Sequence, residues 1–142
     1  MSQFTVDLRK AIGENIADAE KIVRGTLSQI SANIIKRTPV GDPKYWKTKN
    51  PPKGYIGGTL RNAWNASVTT QDFTKKNTRA RTGAVAISKA IKTANQLKLG
   101  QTYYLTNPQP YANRVENGWS DQAPRGMVRV SIAEANQVLR KQ

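Results

Sequence analysis

Apolar residues in the first quarter of the chain recur every three or four positions. Leu8, Ile12, Ile16, Ala19, Val23, Leu27, Ile30 and Ile34 form one stripe, while Arg9, Lys10, Glu14, Asp18, Lys21 and Arg24 occupy the other faces. That spacing predicts an amphipathic helix from Ser2 to about Lys36. Lys36 and Arg37 place cations where the helix dipole favours them, and Pro39 enforces the stop. At about 1.5 Å per residue such a rod is about 45 Å long, whereas a compact chain of this size has a radius of gyration of about 15 Å. The helix outruns its own domain. Either it bends, with Gly13 and Gly25 as weak points, or a second subunit covers part of its stripe, which is the preferred reading.

The pattern then breaks. Thr38 to Trp64 holds four prolines and four glycines, a density that excludes a continuous helix or central strand and predicts a long loop. Loops above about 12–15 residues are usually functional or disordered, and Tyr45, Trp46, Tyr55, Ile56 and Trp64 favour function, because disordered linkers are poor in large aromatics. Thr59 is placed to cap a short turn over Leu60 to Ala63. Trp64, Ala66, Val68 and Thr70 alternate with Asn65, Ser67 and Thr69, the period of a half-buried strand.

Lys75 to Arg81 reads equally as a basic, turn-like connection or as the end of a hairpin. Thr82 to Leu99 is ambiguous, since Val85 and Ile87 suggest a strand while Ile87, Ile91, Ala94 and Leu97 keep helical spacing; the longer pattern and the alanines favour a helix from about Gly83 to Leu97, ended by Gly100. Gln101 to Thr106 predicts a short strand, which Asn107-Pro108-Gln109-Pro110 breaks. Tyr111 to Asn117 predicts a helical turn closed by Gly118, and Met127 to Lys141 a terminal helix. The fold class expected is α+β: a long N-terminal helix packed on a small, mostly antiparallel sheet, with a long Pro/Gly-rich loop, a C-terminal helix and room for one further strand. The 142 residues make one domain, divided into helix 1–37, loop 38–63, and sheet and helices 64–142.

Composition narrows the chemistry. There is no cysteine and no histidine, which removes thiolate and imidazole metal ligands, thiol nucleophiles, disulfides and the Ser-His-Asp triad. No cofactor or metal is expected. Asp7, Glu14, Asp18 and Glu20 interrupt any leader-like apolar run, and no stretch is long and apolar enough to span a bilayer, so the expectation is a soluble protein made in the cytoplasm. The formal charge of +14 is unevenly placed: Lys36 to Lys98 carries fourteen Lys/Arg against Asp42 and Asp72, while the first twenty residues hold four of the nine acids. Such a patch attracts phosphate backbones or acidic protein surfaces, unless it is simply a solvated face.

Three chemical readings compete over these residues. The glycines of Lys53-Gly54-Tyr55-Ile56-Gly57-Gly58-Thr59 suggest an anion-cradling loop, but the Gly-Lys-Ser/Thr of a phosphate-binding loop and the strand before a dinucleotide fingerprint are missing. A lone Gly-x-x-Gly is more simply a turn. Glu116 and Asp121 are the one close acid pair outside the first helix, yet their spacing matches no hydrolytic arrangement. Glu116 is more simply an ion-pair partner of Arg114 or Arg125. Lys44-Tyr45-Trp46-Lys47-Thr48-Lys49 interleaves cations and rings as single-strand nucleic-acid surfaces do, although the same residue types are enriched in protein interfaces.

Two segments bring a family into view. Arg37-Thr38-Pro39-Val40-Gly41-Asp42 followed, after an insertion over Pro43 to Ile56, by Gly57-Gly58-Thr59-Leu60-Arg61-Asn62-Ala63-Trp64 resembles the first, split signature of the HK97 gp10-like tail-component family of tailed bacteriophages. Pro110-Tyr111-Ala112-Asn113-Arg114-Val115-Glu116-Asn117-Gly118-Trp119-Ser120, then Gln122-Ala123-Pro124-Arg125-Gly126-Met127-Val128-Arg129, resembles its second. The resemblance covers about half the chain. It implies a non-enzymatic virion protein at the head-to-tail junction or the top of the tail tube, a tail-completion, tail-terminator or neck component forming a six-fold ring with itself. Implied partners are adjacent neck, connector and tail-tube proteins and packaged DNA in the lumen, with no membrane. Within it Pro39, Gly58, Leu60, Arg61, Tyr111, Glu116, Gly118, Pro124 and Gly126 are motif residues with structural roles. Lys44, Tyr45, Trp46, Lys47, Lys49, Lys53, Tyr55 and Ile56 form a partner-docking loop, and Trp64, Tyr111 and Met127 are assigned to the core. The alternative is a nucleic-acid-binding domain using the same basic, aromatic loop.

Overall fold

The computed structural model describes residues 3–45 and 50–141. Helix α1 (Gln3–Arg37) runs unbroken through Gly13 and Gly25 for 35 residues, about 52 Å at about 1.5 Å per residue. Only its C-terminal half is embedded: Ser31, Ala32, Ile34 and Ile35 are buried, whereas every residue from 7 to 18 is exposed. The body begins at Glu20 and Arg24, where the Arg24 guanidinium donates to the Leu97 carbonyl at 2.6 Å and the Leu99 amide donates to Glu20 at 3.2 Å.

After α1 come a 3-10 turn (Pro43–Tyr45), a one-turn helix α2 (Thr59–Asn62), strand β1 (Asn65–Val68), helix α3 (Ala84–Asn95), strand β2 (Tyr103–Thr106), the short α4 (Ala112–Glu116) and the C-terminal α5 (Val128–Arg140). The architecture is α+β, with one two-stranded antiparallel sheet in which Asn65 faces Thr106 and Val68 faces Tyr103; the described residues contain no third strand. Helix α1 packs chiefly on α3 and then α5, and α3 packs in turn on β1. Its direct tie to the sheet is the Ser31 hydroxyl, 2.8 Å from the Tyr103 hydroxyl. Burial holds the Tyr103 phenol above its ordinary pKa, and the Ser31 bond only partly offsets this.

One core joins these elements: Ile34 and Ile35 of α1, Leu60, Trp64, Ala86 and Ala90 of α3, Val115, Ala123 and Met127. Alanines at 86, 90 and 94 form the buried face of α3, and their small side chains let it lie close against α1. Here Gly83 caps the helix start, and its Cα approaches the Ile35 side chain so closely that a Cβ would come within 2.6 Å of it.

Several local expectations need correction. Thr59 does not cap α2; it is the first helical residue, and Gly58 occupies the cap position at φ +90° without a side-chain bond. β1 stops at Val68 rather than Thr70 because Thr69 turns to φ +78°. Nor is β1 open on one face. Asn65 is buried with its amide donated to the carbonyls of Asp72 and Thr74, so the segment after the strand folds back over its second side. Gly100 lies beyond α3 in the following turn, and the helix itself is capped at Gln96.

Candidate functional site

The two segments that stand about fifty residues apart in sequence meet around the end of α1. Thr38 is fully buried there. Its hydroxyl donates to the Ile34 carbonyl at 2.8 Å, closing the last turn, and accepts the Trp64 indole N–H at 2.8 Å. Arg61 spreads its guanidinium over three carbonyls, with Nε on Thr38 at 2.9 Å and the two terminal nitrogens on Arg81 at 2.8 Å and Lys36 at 3.1 Å. A planar fork with five donors suits this role, and the open carbonyls at a helix C-terminus are its natural targets. Burial, and then the charge of Arg81, lower the Arg61 pKa, which still leaves it a cation at neutral pH.

Asn62 ties the same corner from the other side, donating to the Gly58 carbonyl at 2.8 Å and the Ala80 carbonyl at 2.7 Å. Gly58 must be glycine on two counts: its φ is positive, and a Cβ would run into the Ala80 carbonyl. Leu60, the buried anchor of α2, offers its carbonyl to the Asn107 amide at 3.0 Å. Pro39 is half-buried just past the end of α1.

The second segment docks on the first through Gln122. Its side-chain amide pairs with the Val40 backbone as a strand neighbour would: Nε2 donates to the Val40 carbonyl at 3.0 Å, and the Val40 amide donates to Oε1 at 3.3 Å. Glu116 then organises the start of α5. Its Oε2 accepts the amides of Met127 at 2.8 Å and Val128 at 2.9 Å, its Oε1 accepts that of Arg129 at 3.0 Å, and the Arg129 side chain lies 3.5 Å away. Burial raises the Glu116 pKa, but these three amides and the Arg129 charge outweigh it, so the carboxyl is held below its ordinary value. The expected pairing with Arg114 or Arg125 is therefore replaced by a helix cap, with Arg129 as the ionic neighbour. Arg114 instead lies 5.9 Å from the ring centre of Trp119.

Gly118 and Gly126 both adopt positive φ beside this cap; Pro124, exposed, sets its carbonyl close over the Gly118 Cα. Arg37 completes the junction by binding Ser131 at 2.9 Å and pairing with Glu134 on α5. Trp64 and Met127 are buried as assigned, but Tyr111 is not core. It stands 38% exposed at the start of α4, its pKa raised by partial burial and then by the neighbouring Tyr55 phenol.

Tyr55 therefore lies beside Tyr111 at the surface, and Ile56, next to it in the chain, is exposed as well. The Tyr55 hydroxyl rests against the Cα of Gly41, and the Tyr55 amide closes a turn on the Pro52 carbonyl at 3.0 Å, with Lys53 exposed at its tip. Lys44 is exposed near Asp42, which also faces Arg81 at 3.8 Å. Trp46, Lys47 and Lys49 lie outside the described residues, as does the Tyr45 side chain. Val40, Asp42, Lys44, Arg61, Arg81 and Gln122 line a shallow cleft of ≈ 300 Å³ at the seam between the segments. A second, more open hollow of ≈ 450 Å³ is formed by Asn113, Arg114, Asn117, Gly118 and Trp119, whose ring is 71% exposed.

Sequence reasoning missed Thr38, Asn62 and Gln122 as junction residues. Thr38 had a signal, four residues after Ile34 on the helix's buried line. Gln122 had none, because its partner lies 82 residues away, and the local bond of Asn62 to Gly58 gave no sign of its contact with Ala80, 18 residues on. Among the described residues no group of acids could hold a metal ion, and no helix is long and apolar enough to cross a membrane. Comparison of the chain with family models, curated proteins and solved structures finds no match in any of the three.

Proposed function

We propose that this chain is a structural protein of a tailed-bacteriophage virion. It forms a ring at the head-to-tail interface or the top of the tail tube, as a tail-completion, tail-terminator or neck component, and joins neighbouring rings by protein–protein contacts. One observation carries the reading: the two segments that resemble the tail-component family interlock, and their polar atoms are spent on holding backbone. Arg61 binds three carbonyls, Gln122 pairs with Val40, and Glu116 caps α5. Residues used this way build a rigid frame, and what the frame leaves for partners is its surface: Tyr55, Ile56, Tyr111, Trp119 and the basic residues around them.

Exposed aromatics beside arginine are the side chains that most often anchor protein interfaces. The stretch between the buried Val40 and Gly57 is the docking arm in this reading, while Thr38 and α2 at its two ends belong to the frame, and removing residues 44–53 leaves the monomer folded while blocking its joining to the partner ring. Loss of folding in that deletion would assign the arm to the core.

The alternative, a nucleic-acid-binding domain, draws on the fourteen Lys/Arg between residues 36 and 98. A salt titration of DNA binding separates the two, since phosphate contacts weaken steeply as salt rises. Submicromolar DNA binding by a monomer in physiological salt would overturn the ring reading. Weak, salt-quenched binding by an oligomer supports it.

A further inference from the structure

The N-terminal half of α1 leaves the body as an exposed rod from residue 7 to residue 18. Leu8, Ile12 and Ile16 are 46–51% exposed and follow one another at intervals of four, so they share one face. Asp7, Glu14 and Asp18, spaced by seven and four, form a second row along the rod, with Ala11 and Asn15 between the two. An apolar stripe of this kind costs free energy in water unless something covers it.

Charge says what covers it. The rod itself carries three acids, Asp7, Glu14 and Asp18, against Arg9 and Lys10, whereas residues 21–142 carry twenty-one bases against five acids. The acidic rod therefore meets a complementary surface on another copy of its own chain. Helix α3 supplies that surface. One side of α3 packs on the C-terminal half of α1, while Val85, Lys89 and Lys92, at positions i, i+4 and i+7, line an exposed side. Val85 is 60% exposed, an apolar contact already flanked by cations. The lengths agree too: α3 and the exposed rod each span 12 residues, about 18 Å.

We infer that the projecting half of α1 docks on α3 of a second copy of this chain, with Leu8, Ile12 and Ile16 covered against the Val85 side and Asp7, Glu14 and Asp18 facing Lys89 and Lys92. The two surfaces differ, so the contact is head-to-tail: each subunit offers a rod to the next and an α3 to the one before. Such contacts close into rings when the rotation permits. The inference rests on the ring reading above only for closure.

A charge swap tests it. The masses of the full-length wild type, E14K/D18K and K89E/K92E are measured in solution, with circular dichroism confirming that each is folded. The wild type is expected to assemble, and each variant to fall to the 15.7 kDa of a single chain. An equimolar mixture of the two variants is expected to regain the wild-type mass, because every rod then meets an α3 of opposite charge. Assembly of E14K/D18K alone at wild-type mass, or a mixture that stays at the single-chain mass, overturns the inference. A wild type that stays at 15.7 kDa overturns both the inference and the ring reading. If the swap behaves as expected but particles form normally without the protein, the virion reading fails while the contact stands.

Discussion

Glu116 and Gly126 are in contact across the turn that starts α5: a Cβ on the glycine would come within 2.8 Å of the Glu116 carboxylate and 2.5 Å of its carbonyl. The carboxylate can reach the three amides of residues 127–129 because the chain at 126 passes directly beneath it at φ +87°. The acid and the glycine thus form one device, a helix cap supplied from eleven to thirteen residues upstream of the amides it binds.

Glu116→Gln keeps the shape of this cap and removes its charge. The expected loss is about 1–2 kcal/mol at pH 7, from weaker amide bonds and a lost favourable interaction with the α5 dipole. The pH dependence follows from the sign of the shift. The folded pKa lies below the ordinary 4.5, so the stabilisation is complete above that value and disappears as pH falls through the folded one. Denaturant melts at pH 7 and pH 3 should show the wild type approaching the variant in acid.

Gly126→Ala places a methyl group against Glu116 and forces a left-handed φ on alanine, and should cost about 2 kcal/mol or more. Gly13→Ala is the opposite case. Gly13 lies within α1 with nothing inside 4 Å of an added Cβ, so alanine there should stabilise the monomer by about 0.5–1 kcal/mol through helix propensity. Thermal melts of the pair give opposite signs.

Thr38→Val keeps the volume of a fully buried side chain and deletes the acceptor of the Trp64 indole N–H. A buried donor without a partner costs about 1–3 kcal/mol. The Trp64 fluorescence should shift along with the drop in stability, because the lost bond is to its ring nitrogen.

Arg61→Lys retains the charge and loses the fork. One ammonium cannot hold the carbonyls of Lys36, Thr38 and Arg81 together, and the end of α1 and the 80–82 turn should exchange amide hydrogens faster than in the wild type. Exchange unchanged at both places would mean that the three bonds are dispensable.

The sequence made the 35-residue α1 legible, including the mismatch between its length and the domain's, because an apolar repeat sustained from Leu8 to Ile34 is a strong, local signal. The ends of α3 and α5 were read to within two residues for the same reason. What it did not reveal was anything set by pairing at a distance. Tyr111 looked like core because it is a large ring in a motif, yet it stands 38% exposed beside Tyr55. Glu116 looked like a salt-bridge acid because arginines lie nearby in sequence, yet the amides it binds belong to a turn eleven to thirteen residues on. Asn65 read as the open side of a strand, and only the return of residues 72–74 makes it buried.

The most direct test of the proposed virion role is assembly of tailed-phage particles with this chain omitted, viewed by electron microscopy. A ring protein of the head-to-tail junction predicts filled heads and separate tails that join once the purified protein is added back. Intact, infectious particles formed without it would contradict the account.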